Sequence, residues 1–394
     1  MGALPEPSPQ QKEHSQQLQS VIRGAIKDNG GQIGFDQYMA MALYQPGLGY
    51  YAAGAQKFGA AGDFITSPEV SPLFAQSLAR QVQQVMLTLE QAIVLEFGAG
   101  SGILAADLLL ELERLDCLPQ SYQILEVSAE LQQRQRDTLQ QHCPHLMDKV
   151  EWLQQLPENA VNAVVIANEV LDAMPVIAFE KQNGELFERK IELEGETFNW
   201  VSVAADEKLR AAVAEIETLS DKKLPANYRS EYNPSVLPWL KTLDQLINQG
   251  LVLLIDYGYE AAQYYNDERA MGTMMCYYQH RAHDDVFFYP GVQDITAFVN
   301  FTAVAEAAVS SGFDVMGYTP QAQFLFGCGL PEIFEEKMAG LDEEQIKQQM
   351  HLSQQVKTLT LPGEMGERFK VMALGKGIEP GLKGFMLADF RSRL

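Results

Sequence analysis

Basic residues, cysteine and long apolar runs are all scarce in this 394-residue chain. Lysine and arginine number 29 against 52 acidic residues, which gives a net charge of −23. This charge repels nucleic-acid phosphates and attracts cationic partners. The alternative is that the acidity only keeps the protein soluble. The four cysteines lie far apart without a CxxC pair, which argues for reduced thiols and against a zinc site. No stretch approaches the roughly 18 apolar residues of a membrane-spanning helix. We therefore expect no nucleic acid, membrane or metal as a partner.

The N-terminal segment also lacks the features of a secretory signal or an organelle-targeting peptide. MGALPEPSPQQKEHSQQLQS has no apolar stretch of the kind that a secretory signal requires. It is also not the arginine-rich, acid-poor composition of a transit peptide. We therefore expect residues 1–20 to form a disordered tail of a cytoplasmic protein.

Short apolar strands alternate with amphipathic helices in the main part of the chain. The first predicted strands are 93–97, 122–127, 149–153 and 162–167. Strands separated by helices form a parallel sheet that is covered on both faces. Hairpin signals then interrupt the pattern, and the apolar LVLLIDYG resumes it. We predict an α/β domain at residues 91–394, with insertions at about 176–250 and 330–360, after a helical and lid segment at 21–90.

A glycine loop follows the first strand in LEFGAGSG, where Glu96 precedes Gly98, Gly100 and Gly102. Glycine allows a tight turn and a close approach of the backbone to a ligand. Dinucleotide sites place the third glycine one residue later, beside a pyrophosphate at the helix N-terminus. The spacing here suits a nucleoside without phosphates, such as S-adenosylmethionine. Glu126, at the end of the next strand, is placed to accept both ribose hydroxyls; the alternative is a glycine turn beside a surface glutamate.

The fourth strand ends in ANEVLDAMPV, at the edge where side chains face the ligand crevice of an open α/β sheet. Asn168, Glu169 and Asp172 are therefore our candidates for catalysis beside the transferred methyl group. A guanidinium stays protonated at neutral pH, so carboxylates have to orient it and accept its proton. The alternative is that these residues are solvated caps of a loop.

Six further residues each have two interpretations. Asp63, Thr66, Ser67 and Glu69 in GDFITSPE either close over the cofactor or cap turns and helices. Asp256, at the end of LLIDYG, either lines the crevice or caps the next helix. His283 in QHRAHDD either contacts the substrate or belongs to a structural polar network, because a third metal ligand at a fitting spacing is missing.

Seven segments, in order along nearly the whole chain, carry a resemblance to a known family. They are MALYQPGLGYY, GDFITSPEVSPLF, LEFGAGSG, ANEVLDAMPV, LLIDYG, PGVQDITAFVNF and MGERFKVMALGKG. Together they resemble the MidA-like (DUF185) class I methyltransferases. That family includes mitochondrial complex I assembly methyltransferases, which dimethylate an arginine of a complex I core subunit.

The resemblance implies a Rossmann-like, seven-stranded fold with helical and hairpin insertions that binds S-adenosylmethionine. It implies that the three glycines form the cofactor loop, that Glu126 binds the ribose and that GDFITSPE covers the site. It also implies a protein substrate with an arginine acceptor, for which Tyr51, Asp256 and His283 are the candidate contacts. Paired methyl transfer and the insertions would permit a homodimer. MGTMMCYY departs from relatives, which often have a basic residue there.

Two other functions stay open at this point. An NAD-dependent oxidoreductase uses the same fold, but the early third glycine opposes it. A non-catalytic assembly factor would bind S-adenosylmethionine only for stability, and substitution of Glu169 would leave its function intact.

Overall fold

The computed structural model describes residues 4–52, 66–341 and 345–394. The helices are α1 (Pro9–Asp28), α2 (Phe35–Tyr44), α3 (Ser67–Val70), α4 (Pro72–Met86), α5 (Ile103–Arg114), α6 (Ala129–His142), α7 (Glu207–Leu219), α8 (Val236–Leu246), α9 (Ala261–Tyr264), α10 (Phe301–Ser311), α11 (Gln321–Gly327), α12 (Leu330–Ala339), α13 (Ile346–Thr360) and α14 (Met365–Arg368). The strands are β1 (Gln32–Gly34), β2 (Ile93–Phe97), β3 (Tyr122–Leu125), β4 (Val150–Leu153), β5 (Val161–Asn168), β6 (Ile177–Gln182), β7 (Glu185–Glu194), β8 (Thr197–Ala204), β9 (Tyr228–Tyr232), β10 (Ile247–Tyr259), β11 (Met275–Tyr278), β12 (Arg281–His283), β13 (Asp294–Thr296), β14 (Val299–Asn300), β15 (Asp314–Pro320) and β16 (Phe369–Lys376). Within these described ranges, no helix has the length and apolar content needed to cross a membrane.

The described residues divide into two compact units. The parallel-sheet unit comprises residues 66–170, 239–258, 305–341 and 345–394. The antiparallel unit comprises residues 4–52, 171–238 and 259–304. These bounds cut across the predicted segments, because β1 near the N-terminus pairs with β7 of the predicted hairpin insertion.

The parallel-sheet unit is built on seven strands in the order β4-β3-β2-β5-β10-β16-β15. Neighbouring strands from β4 to β10 are parallel, and β16 runs antiparallel to both β10 and β15. Numbered in chain order, these strands lie as 3-2-1-4-5-7-6. The predicted seven-stranded, Rossmann-like α/β fold is therefore confirmed.

The core of this unit follows from the spacing of its apolar residues. In α5, Leu104, Leu108 and Leu112 recur every fourth residue and are all buried against the sheet and its neighbouring helices. Every residue of β2 is buried, as expected for a central strand with helices on both faces. Burial of each leucine stabilises the fold by roughly 1.5–3 kcal/mol before entropy is counted, so the strand ends have a rigid base.

The antiparallel unit contains two smaller sheets. One has the order β1-β7-β6-β9, and β8 pairs antiparallel with β7 in the same sheet. The other has the order β12-β11-β13. The β6–β7 hairpin turns at Asn183 and Gly184, whose φ angles are 50° and 86°. Asparagine followed by glycine tolerates two left-handed residues in succession, which is why this predicted turn forms.

Residues 9–20, assigned above to a disordered tail, form the first turns of α1. Ser8 starts the helix with a capping box: its hydroxyl accepts from the Gln11 amide at 3.3 Å, and the Gln11 side chain accepts from the Ser8 amide at 2.9 Å. Further along, Leu18 and Ile22 are fully buried. The polar first turns hide this helix in the sequence because its buried face begins late.

Candidate active site

The strand order of the parallel-sheet unit reverses between β2 and β5, which are neighbours in the sheet but not in the chain. In open α/β sheets, ligands bind outside the carboxyl ends of the strands at such a switch point. Phe97, the last residue of β2, pairs with Ala167 near the end of β5. The glycine loop and the Asn168–Glu169 pair therefore start from adjacent positions at one edge of the sheet.

All three glycines of the loop have left-handed backbones, with φ of 65° at Gly98, 53° at Gly100 and 84° at Gly102. At Gly102 a Cβ would lie 3.0 Å from the Cα of Gln135 in α6. At Gly98 it would lie 3.3 Å from a methyl group of Val170. A side chain at any of the three positions would therefore be strained, and at Gly98 or Gly102 it would also press against these neighbours.

Glu96, next to this loop in the chain, is 2% exposed, and its carboxylate accepts a hydrogen bond from the Tyr122 hydroxyl at 2.7 Å. Burial raises the pKa of Glu96 to about 7, an effect that the Tyr122 hydrogen bond partly offsets. One oxygen of this carboxylate is thus held inside the unit by β3.

Glu126 directly follows β3 and is 8% exposed. One carboxylate oxygen accepts from the Ser128 amide at 2.8 Å, and the other accepts from the Gln135 side chain at 3.3 Å. Burial raises the pKa of Glu126, and these donors partly offset the rise. A carboxylate has about four acceptor sites, so Glu126 retains capacity for hydroxyl donors.

At the end of β5, Glu169 has a left-handed backbone with φ of 54°, and its amide donates to the Ile255 carbonyl at 2.8 Å. The Asn168 side chain donates to the Glu169 carboxylate at 3.3 Å. The Asn168 side-chain oxygen is buried and has no hydrogen-bond partner within the described residues. A left-handed glutamate costs about 1–2 kcal/mol, and such strain clusters at functional sites.

Among the candidate residues of GDFITSPE that the structure describes, Glu69 is the one whose side chain contacts the glycine loop. Asp63 lies outside the described residues, and Thr66 precedes α3 without a side-chain cap bond. Ser67 is fully buried and donates to the Gln321 side chain at 2.9 Å. Glu69 instead accepts a hydrogen bond from the hydroxyl of Ser101, between the second and third glycines.

Asp256 lies at the same edge of the sheet, because the preceding Ile255 pairs with Asn168. The Asp256 side chain is fully buried and accepts from the Tyr257 amide at 2.9 Å. The next helix, α9, has Glu260 at its N-cap. The interpretation of Asp256 as a helix cap is therefore wrong, and its position at the strand end stands.

Within the antiparallel unit, Tyr51 belongs to an aromatic–acidic cluster that we define as Tyr44, Tyr51, Asp172 and Asp294. The Tyr51 hydroxyl donates to both carboxylate oxygens of Asp294, at 3.0 and 3.1 Å. The Tyr44 and Tyr51 rings stack with their centroids 5.6 Å apart. Burial, then the charges of Asp294 and Asp172, raise the pKa of Tyr51 well above its ordinary value, so the phenol stays neutral.

The backbone around Asp172 is fastened within this unit. The Asp172 carbonyl accepts from the Ala297 amide at 2.9 Å, and the next carbonyl, of Ala173, accepts from the Tyr44 hydroxyl at 2.9 Å. The Asp172 residue is only 5% exposed. These two hydrogen bonds therefore fix the backbone from which the Asp172 carboxylate extends.

His283 takes a more structural position in the same unit. Its Nδ1 accepts from the Asp285 amide at 3.3 Å, and burial lowers its pKa. In the β12-β11-β13 sheet, His283 lies across from Cys276 and Ile295, whereas Asp294 is one residue out of this row. His283 and Asp294 therefore point to opposite faces of the sheet. Over the described ranges, no group of three or more His, Cys, Asp or Glu side chains is arranged to hold a metal ion.

Sequence reasoning missed several residues of these arrangements. Gln135 is fully buried in α6, but that helix is rich in glutamine and its apolar pattern is weak, so nothing distinguishes this residue. Trp152, in β4, packs against the core of this unit, and its indole donates to Gln135 at 3.0 Å. Asp294 lies in the short strand β13, where the PGVQDITAFVNF motif was the available signal.

The strand order and the glycine loop define the class as an S-adenosylmethionine-dependent methyltransferase. A family model described as an S-adenosyl-L-methionine-dependent methyltransferase matches residues 77–319. The chain belongs to this family.

Solved structures and curated relatives agree with that assignment. A COG1565 superfamily protein from Burkholderia thailandensis, solved bound to S-adenosyl-homocysteine, is 40% identical with a TM-score of 0.93, and all of both chains is covered. A native structure of a COG1565 superfamily protein from the same organism is 39% identical with a TM-score of 0.90, again over both whole chains. Protein arginine methyltransferase NDUFAF7 of Mus musculus is 28% identical, over 87% of this chain and 81% of the mouse protein.

The cofactor is S-adenosyl-L-methionine, and the described residues fit it. All three glycines have left-handed backbones, and Gly98 and Gly102 leave no room for a Cβ beside Val170 and Gln135, so glycine is what permits this tight loop. Glu126 presents acceptors at the end of β3. The buried Asn168 oxygen, which has no partner in the described parts of the chain, offers a further acceptor at the switch point. When bound, the cofactor supplies an electrophilic methyl group on a sulfonium sulfur.

Proposed function

We propose that the protein methylates an arginine side chain of a partner protein. The observation that carries the proposal is the Glu169 carboxylate, held by Asn168 at the switch point on a strained, left-handed backbone. In this proposal Glu169 orients the acceptor guanidinium and takes its proton as the nitrogen gains the methyl group. A guanidinium needs such a partner because it does not lose its proton unaided at neutral pH.

The antiparallel unit supports a cationic acceptor independently. A guanidinium binds to carboxylates and stacks on aromatic rings, and the aromatic–acidic cluster provides both kinds of group. The net charge of −23 further favours encounter with a basic segment. We propose Asp172, a member of this cluster, as a carboxylate that contacts the acceptor protein.

The names of the relatives support the same substrate class. The mouse and rat relatives, 28% and 26% identical to this chain, are both named protein arginine methyltransferase.

The test is transfer of labelled methyl from S-adenosylmethionine to proteins of a lysate, followed by acid hydrolysis and separation of methylated amino acids. We expect label in methylarginine. Glu169→Gln should reduce transfer by about 10²–10⁴-fold, the usual contribution of a positioned acid or base, while S-adenosyl-homocysteine binding persists and reports folding. The matched control is Glu158→Gln, an exposed glutamate of the same unit, which should transfer at the wild-type rate.

Label in another amino acid would overturn the arginine assignment. Cofactor binding without any transfer, in wild type as in Glu169→Gln, would instead favour the non-catalytic assembly factor.

A further inference from the structure

The side chain of Gln135 joins the glycine loop to the Glu126 carboxylate. Its Nε2 donates to the Gly100 carbonyl at 3.2 Å and to a carboxylate oxygen of Glu126 at 3.3 Å. Its Oε1 accepts from the indole nitrogen of Trp152 at 3.0 Å. Gln135 is fully buried, so water does not compete for these partners.

The chemistry of the three neighbours fixes the orientation of this amide. An indole only donates, whereas a carbonyl and a carboxylate only accept. Because Trp152 donates to Oε1, the NH₂ group has to face Gly100 and Glu126, and one glutamine satisfies all three. Glutamate could not donate to the two acceptors, lysine could not accept from Trp152, and asparagine is one methylene shorter.

The backbone of α6 also lies against the loop at this residue. A Cβ on Gly102 would lie 3.0 Å from the Gln135 Cα, so the backbone of α6 packs directly against the glycine loop. This contact adds to the hydrogen bond that the Gln135 side chain donates to Gly100. Side chain and backbone of one residue thereby hold the loop and the acidic strand end at a fixed separation.

We propose that Gln135 is a positioning residue of the cofactor site: it fixes the Glu126 carboxylate relative to the glycine loop, and Trp152 fixes the orientation of Gln135. The inference rests on Glu126 binding the ribose. Gln135 itself acts through Glu126 and Gly100 rather than on the nucleoside.

The test measures S-adenosyl-homocysteine affinity by calorimetry across pH 5–9 for wild type, Gln135→Glu, Gln135→Met and Trp152→Phe. Gln135→Glu should weaken binding by about tenfold or more at pH 8, since two facing carboxylates repel and the donor to Glu126 is lost. At lower pH the pair takes up one shared proton, which restores a donor, so most of the loss should disappear. A residue that only supports packing would not change the pH profile in this way.

The remaining variants separate orientation from charge. Trp152→Phe should weaken binding by only about threefold, because the amide can then rotate. Added to Gln135→Glu it should cause little further loss, since the two act through one contact. Gln133→Glu, an exposed glutamine on the same helix, is the matched control and should bind as wild type does.

Two results would overturn the proposal: a Gln135→Glu protein that binds within twofold of wild type at every pH, or one no weaker than Gln133→Glu. If Gln135→Glu does not fold, Gln135→Met and Trp152→Phe decide, and wild-type affinity in both would equally reject it. Glu126→Gln serves as the reference. If that variant binds normally, the ribose role of Glu126 fails; if it binds weakly while the Gln135 variants do not, only the positioning role fails.

Discussion

The cofactor edge of the parallel-sheet unit and the aromatic–acidic cluster of the antiparallel unit hold their polar side chains by different means. Glu126 and Asn168 stand at the ends of strands, so the sheet places them, and Glu126 takes a hydrogen bond from an amide two residues away. Tyr51 and Asp294 are 243 residues apart and are joined by a phenol–carboxylate contact. The first arrangement tolerates few backbone changes, whereas the second depends on single side-chain contacts.

The largest effect should come from adding one methyl group to the glycine loop. Gly102→Ala places a Cβ 3.0 Å from the Gln135 backbone on a left-handed residue, and we expect a loss of roughly 2–5 kcal/mol in stability or cofactor affinity combined. Gly184→Ala is the matched control, with φ of 86° and open space around it. For this control, urea unfolding should show a loss of about 1 kcal/mol in stability, and calorimetry should show unchanged cofactor binding. Equal losses in the two variants would mean that close packing at Gly102 is not important.

The next effect is a pH dependence carried by Glu96. Its folded pKa of about 7 exceeds the ordinary 4.5, so the folded protein holds this proton more tightly than the unfolded chain does. Its contribution to stability therefore falls as pH rises from 4.5 to about 7, by up to roughly 3 kcal/mol. The unfolding free energy of Glu96→Gln should lack this fall between pH 4.5 and 7, whereas that of the exposed Glu158→Gln should show it. Parallel slopes in wild type and Glu96→Gln would contradict the shift.

A smaller loss should follow removal of one hydroxyl in the antiparallel unit. Tyr51→Phe leaves Asp294 with the Ile295 amide donor, at 2.9 Å, but without the phenol. We expect a loss of about 1.5 kcal/mol in stability and a raised KM for the protein acceptor at nearly constant kcat. Tyr44→Phe, which removes a donor to a neutral carbonyl, should cost less. If the order of the two losses is reversed, the carboxylate contact is not what organises the cluster.

The smallest change should have the opposite sign. Glu169→Gly relieves a left-handed backbone, so the unfolding free energy should stay level or rise by about 1 kcal/mol, although methyl transfer is lost. Chemical denaturation alongside the transfer assay would show this. A stability loss comparable to that of Tyr51→Phe would mean that Glu169 serves the fold rather than the reaction.

Local patterns predicted most of the parallel-sheet unit. β2 has the predicted bounds, and Glu126 lies at a strand end as expected, because alternation of strands with helices is a local signal. The pairing of Tyr51 with Asp294 and the role of Gln135 were beyond reach, since both depend on contacts between elements. The first turns of α1, residues 9–20, were missed because the capping box precedes an apolar stripe that starts only at Leu18.

The place of β16 in the sheet has a consequence for synthesis on the ribosome. This strand, residues 369–376, lies between β10 and β15, although both are translated earlier. Until residues 369–376 have been synthesised, the nascent chain presents the apolar β10 as an open sheet edge, which is a template for aggregation. Because only β16 fills this gap, a chain truncated before residue 369 should be insoluble rather than a shortened enzyme.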